Sequence, residues 1–195
     1  MPPRSEIRSR LRQQRRALSP AARATCAKQV ARRFTASPLF RAARRIAFYW
    51  PSDGEIDITP ILQRARAYGK TCYLPVLWRR NQLRFAACRA GDVLTFNRFG
   101  IPEPALPARK LVGALALDLI LVPLVAFDAQ GNRLGMGAGF YDRTLAMRAR
   151  RTHWRRPRLI GVAYDFQKVA KLAPAPWDVP LDGVVTQLQW HIITP

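Results

Sequence analysis

The residues from Phe127 to Arg143 carry the densest chemical signal in the chain: Phe-Asp-Ala-Gln-Gly-Asn-Arg-Leu-Gly-Met-Gly-Ala-Gly-Phe-Tyr-Asp-Arg, with glycine at 131, 135, 137 and 139. Alternate glycines let a backbone approach a ligand closely and turn several N–H groups toward it, which suits a polyphosphate. A helix beginning just after them adds its positive N-terminal end. Arg133 can add a bidentate guanidinium contact. The spacing is not that of the P-loop, since no Lys-Ser/Thr follows, nor that of the dinucleotide fingerprint, since the glycines run Gly-x-Gly-x-Gly. By composition alone the stretch reads either as a phosphate cradle or as a tight connection between two elements. Asp142 reads as a carboxylate favoured at a helix N-terminus, and Asp178 as a turn residue between Trp177 and Pro180. His153 and His191 lie far apart without a metal-ligand spacing, and no Ser-His-Asp or Cys-His pattern suggests a side-chain nucleophile.

The elements that must position these residues alternate. Residues 1–45 have Glu6 as their only acid and read as two helices, with Ile7, Leu11 and Leu18 on an apolar line in the first and Ser19-Pro20 opening the second. Arg45 to Trp50 reads as a strand stopped by Pro51-Ser52-Asp53-Gly54, Thr59-Pro60 opens a helix that Gly69 can close, and Thr71 to Val76 is a second strand. Leu83 to Ala87 and Val93 to Phe96 read as shorter antiparallel excursions, and Pro102, Pro104 and Pro107 mark an irregular surface connection. Leu119 to Val125 is the most apolar run, as expected of a strand buried on both faces. A helix from Tyr141 to about Arg150 and strands at Leu159 to Tyr164 and Gly183 to Thr186 complete the pattern. Strands alternating with helices predict a three-layer α/β/α fold with a mostly parallel, Rossmann-like central sheet. Ligands of such sheets bind at the carboxyl ends of the strands, which directs attention to the loops after Trp50, Val125 and Tyr164.

Composition narrows the class of protein. A chain of 195 residues with 49% hydrophobic content can build a substantial core and is expected to form one domain over residues 1–195, with basic helices over 4–35 packed on it. No run approaches the roughly 18 apolar residues of a membrane span, and the arginine-rich start lacks the apolar stretch of a secretory signal, so a cytoplasmic protein is expected. Cys26, Cys72 and Cys88 form no Cys-x-x-Cys pair and read as reduced core thiols. The 33 Lys+Arg against 12 Asp+Glu give a net charge of +21, which implies an anionic partner or an arginine-rich compositional bias. A basic nucleic-acid-binding module is the rival reading of that charge; it would bind DNA or RNA with a steep salt dependence and leave the glycine loop unexplained. The run from Arg143 to Arg158, rich in arginine and without an acid, reads as a solvated helix and loop.

The string Gly-Asn-Arg-Leu-Gly-x-Gly-x-Gly-Phe-Tyr-Asp-Arg, following an aliphatic strand and Phe127-Asp128, resembles the signature of the 5-formyltetrahydrofolate cyclo-ligase family. Co-linear matches are Arg-Arg-Ala-Leu-Ser at 15–19, Trp50-Pro-Ser-Asp-Gly-Glu55-Ile-Asp, Gly69-Lys70 and Trp177-Asp178-Val-Pro-Leu-Asp182, so the likeness spans essentially the whole chain. It implies a fold akin to the sugar-phosphate isomerase and CoA-transferase folds, a monomer, and use of ATP with Mg²⁺. An ATP site is implied at Arg4, Arg8, Arg133, Leu134, Gly135, Met136, Gly137, Ala138, Gly139, Phe140 and Tyr141, with Arg133 and Tyr141 as catalytic residues. Asp142 and Asp178 match magnesium-holding positions, and Trp50 and Glu55 match folate-contacting positions, where an aromatic can pack on a flat pterin and a carboxylate can accept from its amino edge. The chain departs from the family where Arg4 and Phe140 stand in place of a frequent lysine and tyrosine, and where Ala138 replaces lysine or glycine. The implied reaction is cyclisation of 5-formyltetrahydrofolate, with or without a polyglutamate tail, to 5,10-methenyltetrahydrofolate with release of ADP and phosphate. A related ATP-binding enzyme acting on another folate-like acceptor is a further alternative. Arg41, Arg44 and Arg45, just before the Trp50 strand, are expected near the mouth of the folate site.

Overall fold

A computed structural model of the chain describes residues 2–149 and 156–193. In chain order it contains α1 (Arg4–Ala17), α2 (Pro20–Thr35), α3 (Pro38–Ala42), β1 (Arg45–Ala47), α4 (Thr59–Ala67), β2 (Thr71–Trp78), β3 (Gln82–Ala87), β4 (Leu94–Phe96), β5 (Pro102–Pro104), β6 (Leu119–Pro123), β7 (Ala126–Phe127), β8 (Arg133–Leu134), α5 (Phe140–Ala149), β9 (Arg158–Val162), β10 (Gly183–Val185) and β11 (Trp190–Ile192). Seven strands form one sheet in the order β11-β10-β9-β6-β1-β2-β3. The five inner strands are parallel, and β11 and β3 are antiparallel edges. Two small antiparallel ribbons, β4–β5 and β7–β8, stand outside it.

Alternate residues of the central strands face opposite layers, as strand geometry requires. Ile46, Leu119, Leu121, Ile160 and Val162 join Val30 and Phe34 of α2, Phe40 of α3 and Ile61 of α4. Ala47, Ile120, Val122, Leu159 and Val184 face the other way, toward Leu145 of α5. The expected three-layer, mostly parallel α/β fold is therefore present. Helix starts follow the expected chemistry: the Ser19 hydroxyl accepts from the Ala22 N–H at 3.2 Å ahead of Pro20, and Ser37 does the same for Phe40 at 3.1 Å ahead of Pro38.

Helix α1 lies on neither face. Its apolar line, Ile7 and Leu11, packs on Val125, Ala126, Leu134 and Leu172, so it covers the β7–β8 ribbon at the carboxyl end of the sheet. From β1 the chain passes through α4 to β2 on one side, while β6 pairs with β1 on the other. The loops leaving β1 and β6 therefore part company, and the crevice between them is where open α/β sheets bind ligands. Three side chains stitch this end together. Gln167 Nε2 donates to both Leu124 O and Val125 O at 2.9 Å, the Tyr164 hydroxyl donates to Gly54 O at 3.2 Å, and Arg15 Nη1 donates to Leu124 O at 3.3 Å.

Several elements differ from the sequence expectation. Pro102–Pro104 is a strand rather than an irregular connection; it pairs with β4 alone, an edge position where prolines need not donate. Short α3, the two-residue strands β7 and β8, and β11 carry too few residues to show a period. Regular pairing in β6 stops at Pro123 rather than Val125, because Val125 N–H turns to donate to Leu134 O at 2.7 Å.

Candidate active site

The glycine-rich segment is reached through a hairpin. Asp128 is fully buried, and its carboxylate accepts the N–H groups of Gln130, Asn132 and Leu172 and the Asn132 side-chain amide, all at 2.9–3.0 Å. Gly131 turns the hairpin with φ of 84°, and a Cβ there would fall 2.9 Å from Leu181 O, so this glycine is held by packing. Gly137 differs: its φ is 111°, and nothing but Arg8, 4.0 Å away, stands over it. Its conformation excludes ordinary side chains while its space stays open toward the cavity, as a backbone cradle for a ligand requires. Helix α5 begins directly afterwards at Phe140, with its N-terminal end at the loop.

Helix α1 brings arginines to the opposite side of this loop. Arg8 Nε donates to Gly135 O at 2.9 Å, and Arg4 pairs with Asp178 at 2.9 Å. Burial first, and then the Arg4 charge, lowers the Arg8 pKa from its ordinary value. One turn and two turns further along, Arg12, Arg15 and Arg16 converge on Asp53. Although burial raises the Asp53 pKa, hydrogen bonds from Arg12, Arg16 and Arg15 outweigh it and hold the group at about 2. Five of the six arginines of α1 thus bind partners within the chain. That arrangement weakens the nucleic-acid reading of this helix, since its guanidinium groups are already engaged.

Asp142 and Asp178 both line the cavity beside the loop. Asp142 Oδ1 accepts from Arg133 Nη2 and from Val179 N–H at 3.3 Å, and Asp178 Oδ2 accepts from Arg4 and from Ala175 N–H at 2.9 Å. The other oxygen of each accepts no hydrogen bond among the described residues. No group of three or more His, Cys, Asp or Glu side chains gathers among the described residues. Mg²⁺ needs no such group: one or two carboxylates suffice when phosphate oxygens and water complete its octahedron. The two open oxygens fit that donor set. Arg133 departs from its expected posture; it is buried, and its two terminal nitrogens are engaged by Val179 O and Asp142 rather than directed together at a phosphate.

The far wall of the same cavity, of about 420 Å³, is aromatic and apolar: Tyr49 and Trp50 from the segment that follows β1, Pro75 and Leu77 from β2, and Phe99 and Ile101 from the turn of the β4–β5 ribbon. Phe99 meets Phe140 edge-on at 5.8 Å, closing the wall against the first residue of α5. Two carboxylates interrupt it. Glu103 accepts from Leu77 N–H at 2.8 Å and from the Asn97 amide at 2.7 Å. Glu55 accepts from Ser52 N–H at 3.0 Å, and Arg15 stands 3.8 Å away. Burial pushes Glu55 up to about 7, against the lowering effects of the Ser52 N–H and the Arg15 charge. Burial, and then the Glu55 charge, also raises the Tyr141 phenol, which stays protonated at neutral pH.

Of the residues that the resemblance assigns to the ATP, metal and folate positions, all but Leu134 line this one cavity: Arg4, Arg8, Trp50, Glu55, Arg133, Gly135 to Asp142, and Asp178. Leu134 instead lies in the apolar cluster under α1. Sequence reasoning missed Arg15, Tyr49, Asn97, Phe99 and Glu103. Arg41, Arg44 and Arg45 were expected at the mouth and are elsewhere: they sit at the end of α3 and the amino end of β1, with Arg44 and Arg45 N–H groups on Asp118. Beside the apolar wall, Arg79, Arg80 and Arg98 line a neighbouring surface depression that shares Leu77 with the cavity. His191 packs edge-on against Phe127 at 5.0 Å and lies 3.3 Å from Asp165, away from this lining; His153 lies outside the described residues.

Comparison with known proteins is consistent with this geometry. Residues 1–187 match the model of the 5-formyltetrahydrofolate cyclo-ligase family. The 5-formyltetrahydrofolate cyclo-ligase of Escherichia coli (strain K12) is 39% identical over 180 residues, covering 90% of this chain and 96% of that protein. The Haemophilus influenzae protein of the same name is 40% identical over 149 residues, covering 74% and 76%. The NMR structure of Aquifex aeolicus 5,10-methenyltetrahydrofolate synthetase superposes with a TM-score of 0.83 at 32% identity, covering 98% of this chain and 93% of that one.

Proposed function

Because the chain belongs to the 5-formyltetrahydrofolate cyclo-ligase family, a family of enzymes acting on a folate, we propose that it uses ATP and Mg²⁺ to close 5-formyltetrahydrofolate to 5,10-methenyltetrahydrofolate. ADP and phosphate are released. The observation that carries this reading is that one cavity joins a glycine-rich anion cradle to an aromatic wall bearing a buried carboxylate. A polyphosphate and a flat, donor-rich ring would meet there.

The triphosphate is held by the backbone of Gly135 to Gly139 and the N-terminal end of α5, with Arg4 and Arg8 neutralising charge from the opposite side. Asp142 and Asp178 would hold Mg²⁺, which supplies a positive charge to the phosphate oxygens when bound. Arg133 keeps Asp142 in place through its buried ion pair. Tyr141, kept protonated, donates to an oxygen at the phosphate end. Trp50 and Tyr49 pack on the pterin while Glu55 accepts from its amino edge, orienting the formyl group toward the γ-phosphate. The formyl oxygen then attacks phosphorus and expels ADP, giving a phosphorylated imidate; the neighbouring side-chain nitrogen attacks the formyl carbon and gives up its proton to water, and phosphate departs with the former formyl oxygen. The protein's share is positioning and charge neutralisation, and no side-chain nucleophile is needed. The test is to mix the protein with 5-formyltetrahydrofolate, ATP and Mg²⁺ and follow methenyltetrahydrofolate absorbance, then omit each component in turn. The reading expects no product when any one is missing; product formed without ATP, or none with folded, ATP-binding protein, refutes it.

A further inference from the structure

We propose that Arg15 is a positioning residue for the folate end of the cavity: its guanidinium ties the loop after β1 to the carboxyl end of β6 and so fixes where the Glu55 carboxylate sits. The inference rests on the reading of Glu55 as a folate-contacting group.

Arg15 is 1% exposed, the largest fully buried side chain in the described structure, and it contributes no atom to the cavity lining. A buried guanidinium is costly unless every arm is matched. Here Nε donates to Asp53 O at 2.8 Å, Nη2 to Asp53 Oδ2 at 2.7 Å, and Nη1 to Leu124 O at 3.3 Å, with Glu55 Oε1 at 3.8 Å from Nη1. One planar group thus spans the two loops that part at the crevice. The loop it grips is sharply folded: Asp53 has φ of 50° and Gly54 φ of 74°, and a Cβ on Gly54 would fall 3.1 Å from Arg15 O. Lysine carries the same charge on a single point and cannot make this three-way span.

Arg15 also divides its charge. Asp53 takes the close, two-point contact and Glu55 the longer one, so Glu55 is only partly compensated. The groups facing Glu55 are Arg15 from α1, Asp53 from its own loop, Tyr49 from the end of β1 and Tyr141 from α5. Arg15 is the one cation among them, which accords with a carboxyl that titrates near neutrality. Folate affinity would then rise with pH as Glu55 ionises.

The experiment measures the dissociation constant of 5-formyltetrahydrofolate by calorimetry from pH 5.5 to 9 for the wild type, Glu55→Gln, Arg15→Lys, Arg15→Gln and Asp53→Asn. Asparagine tolerates the left-handed backbone at position 53, so Asp53→Asn keeps the test available should Arg15→Gln fold poorly. Arg15→Lys is expected to weaken folate binding about tenfold without moving the pH midpoint, because charge is kept and the span is lost. The midpoint moves up in Arg15→Gln and down in Asp53→Asn, where Arg15 is released toward Glu55. Nucleotide affinity stays at the wild-type value throughout. If Glu55→Gln loses folate affinity while Arg15→Lys and Asp53→Asn bind like the wild type with unmoved midpoints, the role given to Arg15 is overturned and the folate site stands. If Glu55→Gln itself binds folate normally, both are overturned.

Discussion

Replacing Glu55 by glutamine is predicted to make the protein more stable and less active. The Glu55 side chain is 8% exposed, and burial pushes its pKa from an ordinary 4.5 to about 7. At 1.36 kcal/mol per pH unit, that difference corresponds to a folding penalty of about 3 kcal/mol once the group is ionised. The penalty is absent below pH 4.5, where folded and unfolded chains are both protonated. It grows as pH rises, because the folded state binds the extra proton, and is complete above about pH 7. Glutamine keeps an oxygen for the Ser52 N–H but sets an amide near Arg15, which returns about 1 kcal/mol. A net gain of about 2 kcal/mol remains, or on the order of 4–8 °C in Tm for a domain of this size. Thermal melts of both proteins at pH 5 and pH 8.5 check it. The wild type should lose stability between the two, relative to the variant, and the curves should converge at the acidic end. Equal melting temperatures at pH 8.5, or a variant destabilised there, would show that Glu55 carries no burial penalty.

Asp142→Asn is expected to raise the Mg²⁺ concentration needed for half-maximal turnover at least tenfold, read from Mg²⁺ titrations, and to lower Tm, because the buried Arg133 guanidinium loses its charged partner; an unchanged titration returns Asp142 to a structural role at the helix end. Gly137→Val should abolish ATP binding in calorimetry, since a branched side chain resists φ of 111° and fills the cradle, whereas retained affinity places the triphosphate elsewhere. If the depression formed by Arg79, Arg80 and Arg98 attracts a glutamate tail, the pentaglutamate to monoglutamate ratio of kcat/KM should exceed one at low salt. The ratio should fall toward one as screening shortens below the physiological Debye length of about 8 Å, and shrink in Arg80→Gln. Equal ratios at every salt concentration would leave the +21 charge without a role in substrate capture.

The glycine-rich side of the candidate site was legible because its information is local. A backbone cradle announces itself by glycines at fixed spacing between an aliphatic strand and a helix, and the structure puts Gly135 to Gly139 at that junction. That Trp50 and Glu55 share this cavity was legible only through the likeness to a family, since a loop acid and an aromatic beyond a strand have plainer uses. The rest depends on long-range partners. Nothing in Arg-Arg-Ala-Leu-Ser distinguishes buried Arg15 from half-exposed Arg16, because the difference lies in Leu124, 109 residues away. Phe99 and Glu103 fall in a proline-marked stretch that reads as irregular, and become a wall only when β5 pairs with β4 beside β2. Proximity in sequence misled for Arg41, Arg44 and Arg45. They sit just before or at the start of β1, but a strand has two ends, and theirs is the one away from the cavity.

The central claim is that this one cavity couples phosphoryl transfer to ring closure. The most direct test is to count ADP and methenyltetrahydrofolate together in a single reaction of purified protein with MgATP and 5-formyltetrahydrofolate. The account predicts one ADP for each methenyltetrahydrofolate and no ADP when the folate is left out; ADP formed at the same rate without folate, or product exceeding ADP, would contradict it.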